Sequence, residues 1–204
     1  SQILPQKREY ERTSTTVINS YVGPPVSRYL FALIQKLKLS NVTTRLTVMQ
    51  SSGGILDAES CLQKPAHIVE CGPAAGVVGA EYIAKRSGFD NVITLDMGGT
   101  TAKASIIEGG TYTLADEYEV GGGMSSSSAL VGKGGYALKL PVIDIAEVGA
   151  GGGSIAWLDG VGSLKIGPES AGALPGPACY GLGGERPTVT DANLVLGYLN
   201  PKGL

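Results

Sequence analysis

The residues best suited to chemistry lie in one short turn between two apolar runs, in the segment VITLDMGGTTAKASII, 92–107. They are Asp96, Gly98, Gly99, Thr100, Thr101 and Lys103. Two adjacent glycines let main-chain N–H groups approach a ligand closely, and the two threonines add hydroxyl donors. The aspartate could hold Mg²⁺ directly or through water, and the lysine could supply a positive charge. The pattern predicts a phosphate-binding hairpin, and the alternative is a tight hairpin whose threonines satisfy their own backbone.

A second glycine cluster lies in the segment GAGGGS and contains Gly151, Gly152 and Gly153. A dinucleotide-binding loop would need a helix immediately after it, whereas the following IAWLDG predicts a strand and a turn. We therefore expect these glycines to allow close backbone approach to a ligand or to a neighbouring strand, and we treat them as candidate cofactor-binding residues.

Several other side chains are weaker candidates. Asp144 and Glu147 have i, i+3 spacing in a strand-like run, which places them on opposite faces and disfavours a paired-carboxylate role. Glu147 could still reach the cleft beside the glycines, and with Asp96 it is a candidate catalytic residue. Cys71 begins a predicted helix whose dipole would favour a thiolate, but a small buried residue is the favoured interpretation. His67 has no partner at metal-ligand spacing and is expected to be structural or at the surface.

Composition excludes several classes of protein. The chain has 204 residues and a net charge of -2, so it can bury a core and has no basic patch for nucleic acid. No apolar run reaches the length of about 18 residues that a membrane span needs, and the first residues do not resemble a signal peptide. Three cysteines without CxxC spacing indicate neither a disulfide framework nor a zinc site. A cytoplasmic protein is expected.

The hydrophobic pattern predicts helices followed by strands in a single domain, 1–204, in which 1–90 is mainly helical with one strand and 91–204 is rich in strands. The predicted elements are a helix from Thr13 to Tyr21, a break or kink at Pro24-Pro25, a second helix over 26–37, a strand within 44–54, a helix over 71–88, an antiparallel meander of three strands over 91–122 with glycine turns at 98–99 and 109–110, a mobile loop at 124–135, strands on both sides of 151–153, and a short helix capped near Thr190 and stopped by Pro201.

The segment DMGGTTAKASII resembles the phosphate-binding hairpin of the superfamily of actin, sugar kinases and heat-shock ATPases. The whole chain resembles the hydantoinase/oxoprolinase family, and N-methylhydantoinase A subunits in particular. The motifs that carry this resemblance occur in the family's order and are REYERTSTTVINSYVGP, VMQSSGG, CGPAAGVVGA, DMGGTTAKASI, EVGAGGGSIAW, GPACYG and PTVTDANLVLGYL.

The resemblance implies an α/β lobe of the ribonuclease-H-like, actin-type fold with a mixed sheet. It implies ATP and Mg²⁺ as cofactors, and ATP-dependent opening of a cyclic amide such as a hydantoin or 5-oxoproline, with a second, B-type subunit as partner. Related members activate ketones by the same phosphorylation. The chain would be the central lobe of a longer subunit and inactive alone. Some family members carry aspartate at the position of Lys103. The alternatives are a kinase-type phosphotransferase lobe and a non-catalytic assembly domain.

Overall fold

A computed structural model of the chain describes residues 2–120 and 135–203. The predicted mobile loop at 124–135 therefore lies, apart from Gly135, outside the described residues. The helices are α1 Glu9–Leu39, α2 Ala58–Gln63, α3 Cys71–Ser87 and α4 Val189–Val195. The strands are β1 Thr47–Met49, β2 Ile55–Asp57, β3 Val92–Met97, β4 Ala102–Glu108, β5 Thr111–Tyr112, β6 Leu114–Ala115, β7 Tyr118–Val120, β8 Tyr136–Leu138, β9 Val142–Ile143, β10 Ala146–Val148, β11 Ser154–Leu158 and β12 Leu164–Ser170.

The chain divides into two compact units, of which the first contains the described residues of 1–94 and 105–146 and the second those of 95–104 and 147–204. The largest sheet has four strands in the order β10-β4-β3, with β5 paired to β4. The other sheets are antiparallel pairs, β1 with β2, β6 with β9, β7 with β8 and β11 with β12. The molecule is thus an α/β protein. No helix in the described ranges has the length and apolar character needed to cross a bilayer.

Helix α1 is continuous, so of the break or kink predicted at Pro24-Pro25 the break is wrong. A proline inside a helix removes a backbone hydrogen bond and costs about 3 kcal/mol. Packing offsets this cost, because Ile18 before the prolines and Leu30 after them are both buried, at 8% and 1% exposure. Local sequence indicates the cost of the prolines but not the burial that compensates for it.

Two polar side chains on α1 also bind other segments of the first unit. The hydroxyl of Thr15, which is fully buried, accepts a hydrogen bond from the amide of Lys139 at 3.0 Å. The side-chain oxygen of Asn19 accepts one from the amide of Ala66 at 3.2 Å. These contacts give a structural reason for polar residues on the buried face of α1, since a buried backbone N–H without a partner is costly.

The core of the first unit consists of two clusters of buried apolar side chains. The first cluster contains Ile18, Ala66, Tyr118, Leu138, Leu140 and Val142. The second contains Ala74, Val77, Ile107, Ile143 and Ile145. Burial of this apolar surface is the main favourable contribution to the stability of this unit.

Helix α3 confirms its prediction, because it begins at Cys71 and ends at Ser87, followed by Gly88 in the left-handed conformation with φ 78°. The strand predictions are confirmed in part. Two strands, not one, lie within 1–90, and the predicted strand at 44–54 is limited to β1. The meander continues from β3 through β4 to β5, but β6 and β7 pair with β9 and β8 instead. These later pairings join segments distant in sequence, which local patterns do not specify.

Candidate functional site

The predicted hairpin joins β3 to β4 in the second unit. The amide of Gly98 donates to the carbonyl of Thr101 at 2.9 Å and closes the turn. Within the described part of the chain, the amides of Gly99 and Thr100 have no hydrogen-bond partner. A β-carbon placed on Gly99 would meet no atom within 4 Å, so the space on that side of Gly99 is open. These unpartnered donors suit an anion such as a phosphate group.

Asp96 lies near the end of β3, one residue before the last residue of the strand, and its side chain is exposed. A carboxylate oxygen is a hard ligand of the kind that Mg²⁺ takes, commonly with several water molecules retained. The described residues contain no group of three or more His, Cys, Asp or Glu side chains that could hold a metal ion. A Mg²⁺ ion at Asp96 would therefore need water and phosphate oxygens to complete its coordination.

Lys103 contacts two other residues in the second unit. Its Nζ donates to Thr101 Oγ1 at 2.5 Å and to Glu147 Oε1 at 3.0 Å. Thr101 and Lys103 lie two residues apart at the start of β4, so both side chains are on the same face of the sheet. The Lys103 and Glu147 side chains are 17% and 16% exposed. The two residues predicted to act on ligands separately thus form one mostly buried ion pair.

The triple glycine 151–153 is hydrogen-bonded along its whole length. The amides of Gly152 and Gly153 donate to the carbonyls of Gly98 and Gly99 at 2.9 and 2.7 Å. The amide of Gly151 donates to the hydroxyl of Ser154 at 2.8 Å. All three amides have protein partners, so this segment supports the hairpin and its N–H groups are not available to a ligand.

Steric contacts explain why this segment is glycine. A β-carbon on Gly151 would lie 2.6 Å from main-chain atoms of Thr100 and Thr101 and 2.7 Å from the carbonyl oxygen of Gly98. One on Gly153 would lie 2.9 Å from the carbonyl oxygen of Gly99. The close backbone approach expected from the sequence is an approach to the neighbouring turn. No helix follows, which excludes the dinucleotide-loop alternative.

The second unit also contains a cluster of polar residues around Asp191, which the motifs considered above do not predict. Helix α4 begins at Val189, close to the predicted start near Thr190, and ends at Val195. Thr188 and Asp191 form its capping box. The Asp191 carboxylate accepts hydrogen bonds from Thr188 N, Thr188 Oγ1 and Cys179 N, each at 2.8 Å. The spacing T-x-x-D in TVTD is the signal that could have predicted it.

The environment of Asp191 determines its charge. Burial alone would raise the pKa of this carboxyl. The hydrogen bonds from Cys179 and Thr188 lower the pKa by more than burial raises it, so that its value is about 2. The carboxylate is therefore ionised at neutral pH. Thr190, in the first turn of α4, donates its amide to the carbonyl of Gly152 at 2.8 Å. Asp191 thus stabilises the helix start that contacts the glycine segment.

The remaining candidates lie in the first unit. Burial raises the pKa of the Cys71 thiol more than its backbone hydrogen bonds lower it, which supports the structural interpretation over the nucleophile. Burial and nearby Lys64 lower the pKa of His67, whose carbonyl accepts a hydrogen bond from the hydroxyl of Ser51 at 3.0 Å. Asp144 is exposed and donates its amide to the carbonyl of Thr113. Cys61 and Cys71 in this unit and Cys179 in the second unit are free thiols.

The first unit also has a cavity of about 420 Å³, lined by parts of α1, α2 and residues 42–46. No residue predicted as part of the site lines it. Its charged groups include Arg45 and Asp57, which already pair with each other at 3.0 Å. The cavity and the hairpin are thus two different candidate binding sites in the chain. We favour the hairpin because the amides of Gly99 and Thr100 have no protein partner among the described residues.

Comparison of the amino-acid sequence with known proteins identifies the family of this chain. The model of the hydantoinase/oxoprolinase family matches residues 12–204. An uncharacterised protein of Methanocaldococcus jannaschii is 50% identical over 98% of this chain and 29% of its own length. The caprolactamase alpha subunit of Pseudomonas jessenii is 42% identical over 97% of this chain and 27% of its own length.

Solved structures agree. Nucleotide-free acetone carboxylase, from a study of ATP-dependent acetone carboxylation, has a TM-score of 0.78 at 30% identity over 98% of this chain and 26% of that chain. The ATP-dependent caprolactamase of Pseudomonas jessenii has a TM-score of 0.65 at 38% identity over 98% of this chain and 27% of that chain. The chain thus spans between a quarter and a third of these relatives. It belongs to the hydantoinase/oxoprolinase family.

Proposed function

We propose that this chain contributes the phosphate-binding hairpin of an ATP-dependent enzyme that opens a cyclic amide, of the hydantoinase or 5-oxoprolinase type. It would be the central, actin-type lobe of an N-methylhydantoinase A-like subunit in the cytoplasm, and a second, B-type subunit would be its partner. The observation that carries this proposal is the hairpin turn, whose amides at Gly99 and Thr100 have no partner among the described residues and which leaves open space beside Gly99.

The relatives support the use of ATP and leave the reaction to be tested. One relative is an ATP-dependent caprolactamase, and another takes part in ATP-dependent acetone carboxylation. An amide and a ketone share a carbonyl oxygen, which is the atom that phosphorylation would activate. Names such as subunit alpha also support a partner subunit. We favour the cyclic amide because motifs that resemble those of N-methylhydantoinase A subunits cover nearly the whole chain.

An unstrained amide resists hydrolysis because resonance gives its C–N bond partial double-bond character. Bound Mg·ATP would supply its γ-phosphoryl group to the amide oxygen with ADP as the leaving group, so that the C–N bond loses its amide resonance and the carbon becomes open to water. Addition of water would break the C–N bond, with a proton going to the ring nitrogen, and hydrolysis of the acyl phosphate would release inorganic phosphate. The amides of Gly99 and Thr100 and the hydroxyl of Thr100 would bind the phosphate oxygens, and Asp96 would hold Mg²⁺ directly or through water. The glycines 151–153 would keep the turn in place. Mutually fixed donors of this kind lower the barrier because they need no rearrangement during reaction.

Titration of the intact protein with Mg·ATP by calorimetry tests the proposal. We expect Asp96→Ala and Thr100→Ala to weaken binding by about tenfold or more, since each loses a contact to the metal or the phosphate. Asp90→Ala and Thr111→Ala are matched controls, because both residues are exposed and adjoin the other glycine turn of β4. These controls should bind Mg·ATP as the unaltered protein does.

The outcomes distinguish the candidate functions. If the intact protein does not bind Mg·ATP, phosphorylation is excluded and a non-catalytic assembly role takes its place. If it binds, release of ADP that depends on an added lactam or hydantoin supports the amidase. Release of ADP together with a stable phosphorylated product would instead support a kinase-type phosphotransferase.

A further inference from the structure

We infer that Lys103 does not bind phosphate itself but holds the hydroxyl of Thr101 as a hydrogen-bond donor toward the phosphate, with Glu147 fixing the lysine. The inference rests on the proposed function, because it assigns roles within the same site. It makes Lys103 and Glu147 positioning residues and Thr101 the residue that touches the ligand.

The direction of the hydrogen bonds carries the first step. A lysine ammonium group has three donors and no acceptor. The Thr101 oxygen therefore accepts from Lys103 Nζ, at 2.5 Å, and cannot return its own proton to that nitrogen. The proton must point to another acceptor. With its oxygen already bonded to a cation, this hydroxyl is polarised and is the better donor for it.

The mostly buried ion pair with Glu147 keeps Lys103 away from the phosphate. Nζ lies 3.0 Å from Glu147 Oε1, and both side chains are less than one-fifth exposed. An ammonium group that left this pair for a phosphate would leave the carboxylate mostly buried and unpaired, which is costly. The ion pair with Glu147 thus holds Lys103 in place, and the Thr101 hydroxyl is the side-chain donor that remains at the turn. Strand β10 neighbours β4 in the sheet and carries Glu147 to this place.

The connection to the hairpin carries the third step. Thr101 is the last residue of the turn, and its carbonyl accepts the hydrogen bond from the Gly98 amide that closes it. A side chain fixed here adds a hydroxyl donor beside the amides of Gly99 and Thr100. The phosphate would thus be bound by neutral donors only. The positive charge of Lys103 would lie one hydrogen bond away from it, behind the Thr101 hydroxyl.

A double-mutant cycle on the intact protein tests this arrangement, with the Mg·ATP dissociation constant measured by calorimetry. We expect Lys103→Met and Thr101→Val each to weaken binding about threefold to tenfold. In the Thr101→Val background, Lys103→Met should weaken it less than about twofold further, because the lysine acts through the threonine. Thr101→Ser keeps the hydroxyl and should restore the full effect of Lys103→Met.

Controls separate positioning from folding and from general charge. The double variant Lys103→Met with Glu147→Gln leaves no unpaired carboxylate, and its thermal unfolding checks that the protein is folded. It should bind Mg·ATP as weakly as Lys103→Met alone. Lys85→Met removes an exposed lysine that pairs with Glu81 and should not change binding.

Each outcome decides the inference. Losses that add in the double variant of Lys103 and Thr101 would show that the lysine contacts phosphate directly and would overturn the inference while the proposed function stands. Binding unaffected by Lys103→Met would do the same. Absence of Mg·ATP binding in the unaltered protein would overturn both.

Discussion

At the residue scale, Gly151 determines whether the candidate turn can keep its shape. A β-carbon there would lie 2.6 to 2.7 Å from main-chain atoms of the hairpin, and a main chain cannot rotate away as a flexible side chain can. We expect Gly151→Ala to shift the hairpin, to destabilise the protein by about 1–3 kcal/mol and to weaken Mg·ATP binding about tenfold or more. Calorimetry and thermal unfolding measure the two effects.

Gly149→Ala is the matched control for this substitution. A β-carbon at Gly149 would meet no atom within 4 Å, so stability should change by less than about 0.5 kcal/mol. If Gly151→Ala binds Mg·ATP as well as Gly149→Ala does, the glycine segment does not determine the shape of the binding turn.

The sequence predicted the residue types at the site better than their contacts. Aspartate, glycine and threonine at a hairpin turn predict phosphate binding from local spacing, with a hairpin whose threonines satisfy their own backbone as the alternative. The pairing of Lys103 with Glu147 joins residues 44 positions apart, so it depends on which strands are neighbours in the sheet. Local patterns do not specify that order, and the two residues were therefore expected to act separately.

At the scale of elements, the Asp191 carboxylate stabilises the start of α4. We expect Asp191→Asn to destabilise the protein by about 1–3 kcal/mol at pH 7, because a charged acceptor of three short hydrogen bonds becomes a neutral amide. The pKa of Asp191 is about 2 in the folded protein, below its unfolded value of about 3.9. Its stabilising contribution is therefore complete above about pH 5 and is lost as the pH falls through about 2.

Urea unfolding from pH 7 to pH 2 measures this dependence. The difference in unfolding free energy between the unaltered protein and Asp191→Asn should shrink as the pH falls. Glu185→Gln is the control, since its side chain is exposed and has no hydrogen bond within the described ranges. A gap for Asp191→Asn that stays constant down to pH 2 would argue against the ionised carboxylate as its cause.

Helix α1 allows a second test at this scale. Thr15→Val keeps the shape of the side chain but removes the acceptor for the buried amide of Lys139. We expect a loss of about 1–3 kcal/mol in the free energy of unfolding, measured with urea. Thr13→Val on the exposed side of the same helix should change it by less than about 0.5 kcal/mol. Equal effects of the two substitutions would mean that helix propensity, and not the hydrogen bond, determines the result.

Elements were predictable where local signals agree with tertiary packing. Helix α3 has a proline near its start, basic residues in its last turn and a glycine after it, and it forms as predicted. Helix α1 contains two prolines that local rules treat as a break, and burial on both sides of them prevails. The extent of an element thus depends on its partners as well as on its own residues.

At the scale of the whole molecule, the two units are stabilised in different ways. The first unit has two apolar clusters, whereas the buried side chains of the second include the polar residues Ser154, Thr188 and Thr190. The Ser154 hydroxyl accepts a hydrogen bond from the Gly151 amide, the Thr188 hydroxyl donates to Asp191, and the backbone amide of Thr190 donates to the Gly152 carbonyl. Motif order was enough to indicate the family, but hydrophobic periodicity identifies apolar cores and did not reveal this division. The second unit suits a site made largely of backbone donors. Its glycine segment 151–153 is hydrogen-bonded directly to the main chain of the hairpin, which holds these donors in place.

The distribution of hydrogen exchange over the whole chain gives a last prediction. Saturating Mg·ATP on the intact protein should slow exchange at the amides of 98–101, where phosphate would bind. It should also slow exchange at 151–153 and Thr190, whose hydrogen bonds support the turn. Amides within α1 should keep their exchange rates. Local opening of this helix would not disrupt the proposed nucleotide site, so bound nucleotide would not oppose it. Mass spectrometry of peptides from both units, with ATP lacking Mg²⁺ as control, measures this. Slowed exchange confined to Lys38 and residues 42–46 would instead place the nucleotide in the cavity of the first unit, where size rather than donor chemistry would then decide binding.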